Sequence, residues 1–357
     1  MSFYQIMQLS PANIKSKIKE TTEKKEKRRY IAALISRAIL CLIFCVGFVM
    51  TFSLIFGEEN SVVGVVSVIL LLTFRASNLD IDVRESTLAI LGVYIIYAIG
   101  PYLASISNSY LAAIINFVSI LLLVVITCHN MILSNQIVVI LSYLLLFGYE
   151  VSSKAIYTKR IFALIFGGII VATIFYIKQR NNKFEHNFID ILKHFNFKDS
   201  RTRWQIKISI LIATSIFIGE LLNFERTMWI GFACMSIIQP EEEKLKGRLI
   251  DRPKYAILGC IIFTVVYCII PKAPTIIFGM IGGLMVGFSG TYRWQTVFNS
   301  FGALSVAIPI LGFGEAIFFR VICNVFGALY IWICLKGYDM FKNRFQKIEV
   351  LDGNEIF

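Results

Sequence analysis

The chain has 357 residues, of which 57% are hydrophobic and only 16% charged, and its mean hydropathy is +0.72. That is more apolar side chain than one water-soluble core can hide, so a soluble globular protein is excluded and a polytopic membrane protein is predicted. The formal net charge of +12 raises nucleic acid as a partner, but the basic residues are scattered over short polar loops, no nucleic-acid module is present, and none is expected to bind.

Residues 1–29 form a basic leader, with Lys24, Lys25, Lys27, Arg28 and Arg29 just ahead of the first apolar run. From Asn13 to Tyr30, Ile alternates with Lys and Glu, a pattern that suits either a solvated leader or an amphipathic helix on an anionic leaflet. A bilayer core about 30 Å thick needs roughly 20 apolar residues per helix. Six apolar blocks follow, near 31–56, 61–74, 87–104, 110–127, 131–149 and 161–177. Next comes a polar stretch in which Phe184, Phe188, Ile189, Ile191, Leu192 and Phe195 keep a helix-like rhythm. Six more blocks lie near 208–222, 227–239, 255–270, 274–289, 297–311 and 316–335. The predicted division is a leader, 1–29; a first six-helix repeat, 30–177; an amphipathic connector, 178–207; a second six-helix repeat, 208–336; and a tail, 337–357. The first block is long enough to span and no small-residue cleavage site follows it, so it reads as an anchor and not a removed signal peptide.

The two groups of six carry one pattern. Gly64 leads to Ala89-Ile90-Leu91-Gly92, and Gly231, 167 residues on, leads at the same spacing to Ala256-Ile257-Leu258-Gly259. Asn135 and Gly148 reappear as Asn299 and Gly312, and Arg160 with Phe166-Gly167 reappears as Arg320 with Phe326-Gly327. Matches that fall in order within matching hydropathy blocks indicate a tandem duplication. Six is even, so both copies insert with the same orientation, as parallel repeats about an axis normal to the membrane. The predicted fold is all-α, with about twelve transmembrane helices.

Basic residues near helix ends stay on the cytoplasmic side. The leader, the connector, the stretch Lys244 to Lys254, the turn holding Arg293, and Lys336, Lys342 and Arg344 hold most of the positive charge, which places both termini inside. Gly57 to Asn60, Ser105 to Ser109 and Pro271 to Pro274 carry little and are placed outside. Lys154, Lys159 and Arg160 disagree, and are reconciled if Arg160 lies within the sixth helix or if the fifth helix is shifted or re-entrant.

Cys41, Cys45, Cys128, Cys234, Cys260, Cys268, Cys323 and Cys334 sit almost entirely in apolar blocks with no zinc spacing, and His129, His186 and His194 show no second ligand on a shared face. Packing cysteines and surface histidines are the reading, with no metal and no cofactor. No P-loop, H-E-x-x-H or G-x-S-x-G is present, so bond chemistry and ATP hydrolysis are not expected.

The second block of each copy is short and carries an interior glycine, Gly64 or Gly231, and Pro240 closes the second. Paired short hydrophobic segments point to a transport site, because a helix too short to span ends inside the protein with unpaired backbone groups. A tilted helix with misjudged ends is the alternative.

The run from Arg226-Thr-Met-Trp229 through Gln239-Pro240, followed by Arg252-Pro-Lys-Tyr-Ala-Ile-Leu-Gly259, resembles the fusaric acid resistance and aromatic acid exporter family. Trp229, Gln239, Pro240, Arg252 and Gly259 match that family's pattern, while Tyr255 and Ala256 stand where Gly and Thr are usual, and the first copy keeps only Gly64 and Gly92, with Glu85 in place of Arg. The resemblance implies a cytoplasmic-membrane efflux component for small organic anions such as aromatic carboxylates, driven by the proton motive force and commonly paired with a periplasmic adaptor protein. Plant anion channels of the aluminium-activated malate type are distantly similar, which keeps a passive anion channel open; a non-transport membrane scaffold and a homo-oligomer are further possibilities.

Charged groups at membrane depth are costly and usually line paths or pair. Arg160 and Arg320 hold corresponding places in the sixth helix of each copy and offer planar forks to an anion. Glu150 and Glu315, a few residues upstream, would pair with them or carry a proton. The structural alternative has each Arg reaching to the headgroups and each Glu in a loop. Trp229 is a candidate for ring stacking with substrate, against the membrane-interface belt that explains most Trp and Tyr. Arg252, with Arg248, would concentrate anions at the inner mouth.

Overall fold

The computed structural model describes residues 1–182, 184, 186–193, 195–270 and 274–352, and among these there is no strand. In chain order the helices are α1 (Phe3–Gln8), α2 (Pro11–Glu20), α3 (Lys24–Phe56), α4 (Ser61–Phe74), α5 (Val83–Ser105), α6 (Ser109–Thr127), α7 (Asn135–Gly148), α8 (Lys154–Gln179), α9 (Phe188–Lys193), α10 (Ser200–Leu221), α11 (Met228–Ile237), α12 (Glu242–Ile269), α13 (Thr275–Phe288), α14 (Tyr292–Leu311) and α15 (Phe313–Asp352). Each of the twelve predicted apolar blocks coincides with one of α3–α8 or α10–α15. Eight of these helices are long and apolar enough to cross a membrane, which makes this a multi-pass membrane protein. The others are shorter, 14 residues for α4, α7 and α13 and 10 for α11.

Several helices begin earlier than the apolar pattern, and in each case polar contacts hold the extra turns. The connector predicted for 178–207 ends at Asp199, whose side chain accepts from the Arg201 amide and starts α10; Trp204 and Gln205 are buried there, and Gln205 Nε2 donates to Cys128 O at 3.2 Å. Within that connector the described residues form only the six-residue α9. The amphipathic helix predicted over Asn13 to Tyr30 is two pieces, α2 and the start of α3, broken at 21–23. The charged stretch after Pro240 forms the first turns of α12, which runs through Pro253 without a break. Lys154, Lys159 and Arg160 all belong to α8, so the sixth helix starts seven residues sooner than its hydropathy indicates.

Hydrogen bonds fix which turns share an end of the bundle. Arg160 on α8 donates from Nη2 to Glu59 O at 3.1 Å in the α3–α4 turn and from Nη1 to Tyr149 O in the α7–α8 turn, while Arg226 in the α10–α11 turn donates to Gly148 O at 3.3 Å. These three turns therefore meet at one end. At the opposite end, Asn135 Nδ2 donates to Asn78 O at 2.8 Å and Thr127 O at 3.1 Å, tying the α4–α5 and α6–α7 turns together.

Small residues set the closest helix approaches. In the first six helices, a Cβ on Gly64 (α4) would meet Phe52 Cβ (α3) at 2.9 Å; in the second six, one on Gly231 (α11) would meet Ile216 (α10) at 3.1 Å. Gly167 on α8 abuts Ser67 of α4, and Gly327 on α15 abuts Ala233 of α11. Between the two sets, α6 packs on α10 and α3 packs on α13, and α7 packs on α11.

Candidate functional site

A cavity of about 730 Å³ lies among α3, α4, α7, α11, α12, α13, α14 and α15. Both α4 (Ser61, Val62, Val65) and α14 (Asn299, Gly302, Val306) line it. Its walls are mostly apolar, but four arginines line it: Arg226, Arg248, Arg252 and Arg320, and no carboxylate is among the lining residues.

Their order along the bundle follows from the helices that carry them. Arg226 sits at the end where the α3–α4 and α10–α11 turns meet, bonded to Gly148 O. Next is Arg320, whose Cζ lies 5.2 Å from the Trp229 ring at the start of α11. One turn further along α15 is Asn324; its Nδ2 donates to Arg320 O at 2.7 Å and its Oδ1 accepts from Arg252 Nε at 2.9 Å. One turn back along α12 from Arg252 is Arg248, which donates to Ser236 O at 3.0 Å near the end of α11 and stacks over Tyr292 at 4.4 Å. The four guanidiniums form a ladder.

Three rungs lie over an aromatic ring: Arg320 over Trp229, Arg248 over Tyr292, and Arg226 over Tyr149 at 5.8 Å. Stacking engages the flat face of a guanidinium and leaves its in-plane N–H groups pointing elsewhere. For Arg320 these groups have nowhere to go. The side chain is 2% exposed, and its Nε and Nη1 are fully enclosed without a hydrogen-bond acceptor. A buried, unpaired cation costs several kcal/mol, roughly, unless an anion joins it.

Arg160 has the opposite environment. It is also buried, but its Nε donates to Asn60 Oδ1 at 3.1 Å and its other nitrogens to the Glu59 and Tyr149 carbonyls, so each of its three nitrogens has a partner in one of two turns. The expected pair of corresponding arginines facing one path is therefore not brought together: Arg320, Arg252 and Trp229 line the large cavity, whereas Arg160 lines a small recess with Glu150. Glu150 and Glu315 are both exposed, and neither lines the large cavity.

The backbone explains why α11 can be so short. At about 1.5 Å per residue its 10 residues span about half the apolar thickness. Its last turn is closed by side chains: Ser236 O accepts from Arg248 Nη1 at 3.0 Å and from Gln239 Nε2 at 3.3 Å. Arg226 and Asn324 were not among the site residues predicted from sequence, and Arg248 was expected only beside Arg252 at the inner mouth. The available signals were the one-turn spacings, Arg248 to Arg252 and Arg320 to Asn324, which place each pair on one helix face.

The histidines differ from the sequence reading. Asp80, His129 and His186, from the α4–α5 turn, the α6–α7 turn and the connector, bring their ligand atoms within 4.8 Å of one another. Arg201 Nη1 lies 2.8 Å from His129 Nδ1, so a guanidinium already stands where a cation would be disfavoured. His194 lies outside the described residues.

Residues 212–334 match a family model described as fusaric acid resistance protein-like, a stretch that contains all four rungs of the ladder. A segment of 153 residues is 26% identical to a protein of Neisseria gonorrhoeae described as "Uncharacterized protein ORF2"; it covers 42% of this chain and 37% of that relative. No solved structure matches the chain.

Proposed function

We propose that this chain, whose residues 212–334 fall within the fusaric acid resistance protein-like family, exports small organic anions, aromatic carboxylates among them, across the cytoplasmic membrane. The observation that carries the reading is Arg320, a buried guanidinium that lines a cavity large enough for a drug-sized ligand and whose Nε and Nη1 have no acceptor. A carboxylate there accepts two charge-assisted hydrogen bonds and removes the cost of the buried charge. Trp229 and Phe232 offer an aromatic body flat contact beside the charge. The ladder gives successive weak positions along the bundle, which suits passage better than a single tight site.

The same proposal includes two parallel six-helix repeats with both termini in the cytoplasm. In its favour, α3 packs on α13 as α10 packs on α6, each the first helix of one set against the fourth of the other. The first turn of each set also lies at the same end. Export is driven by the proton motive force in this reading. A passive anion pathway is the second reading, favoured by one observation: the cavity lining contains arginines but no carboxylate to carry a proton.

Flux of labelled hydroxybenzoate in proteoliposomes, with and without an imposed pH gradient, tests both. Faster movement under the gradient supports the exporter, gradient-independent flux supports the passive pathway, and Arg320→Met is expected to remove either. Absence of flux for every anion tried, from correctly inserted protein, overturns the proposal.

A further inference from the structure

We infer that the preferred cargo carries two negative charges on one head group, attached to an apolar body. The inference rests on the anion-transport reading above and narrows its substrate class. Arg320 and Arg252 are adjacent rungs, both buried, at 2% and 5% exposure, and joined through Asn324. Arg226 and Arg248 each have a backbone carbonyl as partner and are partly exposed. The inner two do not share that relief: Arg252 gives only its Nε to Asn324, and Arg320 has no acceptor.

A single carboxylate between two buried guanidiniums leaves one positive charge uncompensated in a medium where that is expensive. A head group with two charges neutralises both. A phosphate monoester carries about −1.5 to −2 at pH 7 and three acceptor oxygens, enough to meet two forks at once. The remaining lining, with Leu145, Trp229, Phe232, Met235 and Val286, provides apolar contact for the rest of the molecule.

The test compares phenyl phosphate with its methyl diester, which keeps the ring and phosphorus but has one charge, and with benzoate, by titration calorimetry on the purified full chain in detergent at pH 8. The monoester is expected to bind about tenfold or more tightly than the diester, and the ratio is expected to fall towards unity in Arg252→Gln and in Arg320→Gln. Should Arg320→Gln fail to fold, Arg320→Lys and Arg252→Gln carry the comparison. Equal affinity for monoester and diester, or a ratio that survives both substitutions, overturns the inference while leaving anion transport standing. If none of the three anions binds folded, monodisperse protein, the transport reading falls and this inference with it.

Discussion

Two arginines that the sequence equates do different work. With Gly64 and Gly231 aligned, the residues that meet Arg160 at the α3–α4 turn, Glu59 and Asn60, correspond to Arg226 and Thr227 in the second copy. The Asn60 amide that accepts from Arg160 Nε is thus replaced by the Thr227 hydroxyl, and Arg320 Nε has no acceptor. Asn135 and Asn299 repeat the theme: the first is tied into a turn through two carbonyls, and the second faces the cavity. Removing each arginine should therefore have opposite consequences. Arg160→Met strands the Asn60 side chain and two carbonyls at the bundle end and is expected to destabilise by on the order of 2–4 kcal/mol. Arg320→Met deletes an unpaired buried cation, so without anion its unfolding temperature should equal or exceed that of the wild type. Thermal unfolding in detergent distinguishes them; a large loss in Arg320→Met would mean that its guanidinium is already satisfied within the protein. The sequence showed that both arginines lie at membrane depth, but which one is free depends on partners about 100 residues away, beyond any local pattern.

At the scale of the helix, the short segments were legible and the long ones less so. Hydropathy located α4 and α11 because Gly57, Asn60 and Pro240 break the pattern at their ends. It misplaced the starts of α3, α10 and α12 because Lys, Arg and Glu erase the apolar signal while remaining good helix formers. In α12 this matters for function, since Arg248 and Arg252 lie on the part that hydropathy assigns to a loop. Arg248 also closes the end of α11, and Arg248→Met is expected to leave the Ser236 carbonyl half-served and to raise hydrogen exchange of amides 234–239 by about fivefold or more, equivalent to roughly 1 kcal/mol of local opening. Unchanged exchange there would assign the cap to Gln239 alone. The α11–α15 contact is tested separately: a Cβ at Gly327 would stand 2.8 Å from Ala233 Cβ and 3.3 Å from Ile230 O. Gly327→Val should therefore push Trp229 and Arg320 apart and cost about 1–3 kcal/mol by overpacking, read as a lowered unfolding temperature together with weaker anion binding.

Across the whole molecule, the two sets of six exchange contacts in pairs, first helix to fourth, but the exchange is incomplete. The second helix of the later set, α11, packs on the fifth of the earlier, α7; the reciprocal pair, α4 and α14, has no comparable packing, and both helices line the cavity. A vertical pseudo-dyad of this kind requires that the α3–α4 and α10–α11 turns emerge on one side of the membrane, whereas inverted repeats require opposite sides. Single cysteines at Glu58 and Glu225, introduced after replacing the eight native cysteines, should both react with a membrane-impermeant maleimide added outside intact cells. A cysteine at Lys198 in the connector should react only after the membrane is opened. Labelling of 58 and 225 from opposite faces would break the dyad and with it the continuous ladder, because Arg226 would no longer share an end with the turn that Arg160 holds. Labelling of both from the same face, combined with protection of 225 but not 58 by bound anion, would place the Arg226 rung at the outer mouth of the path.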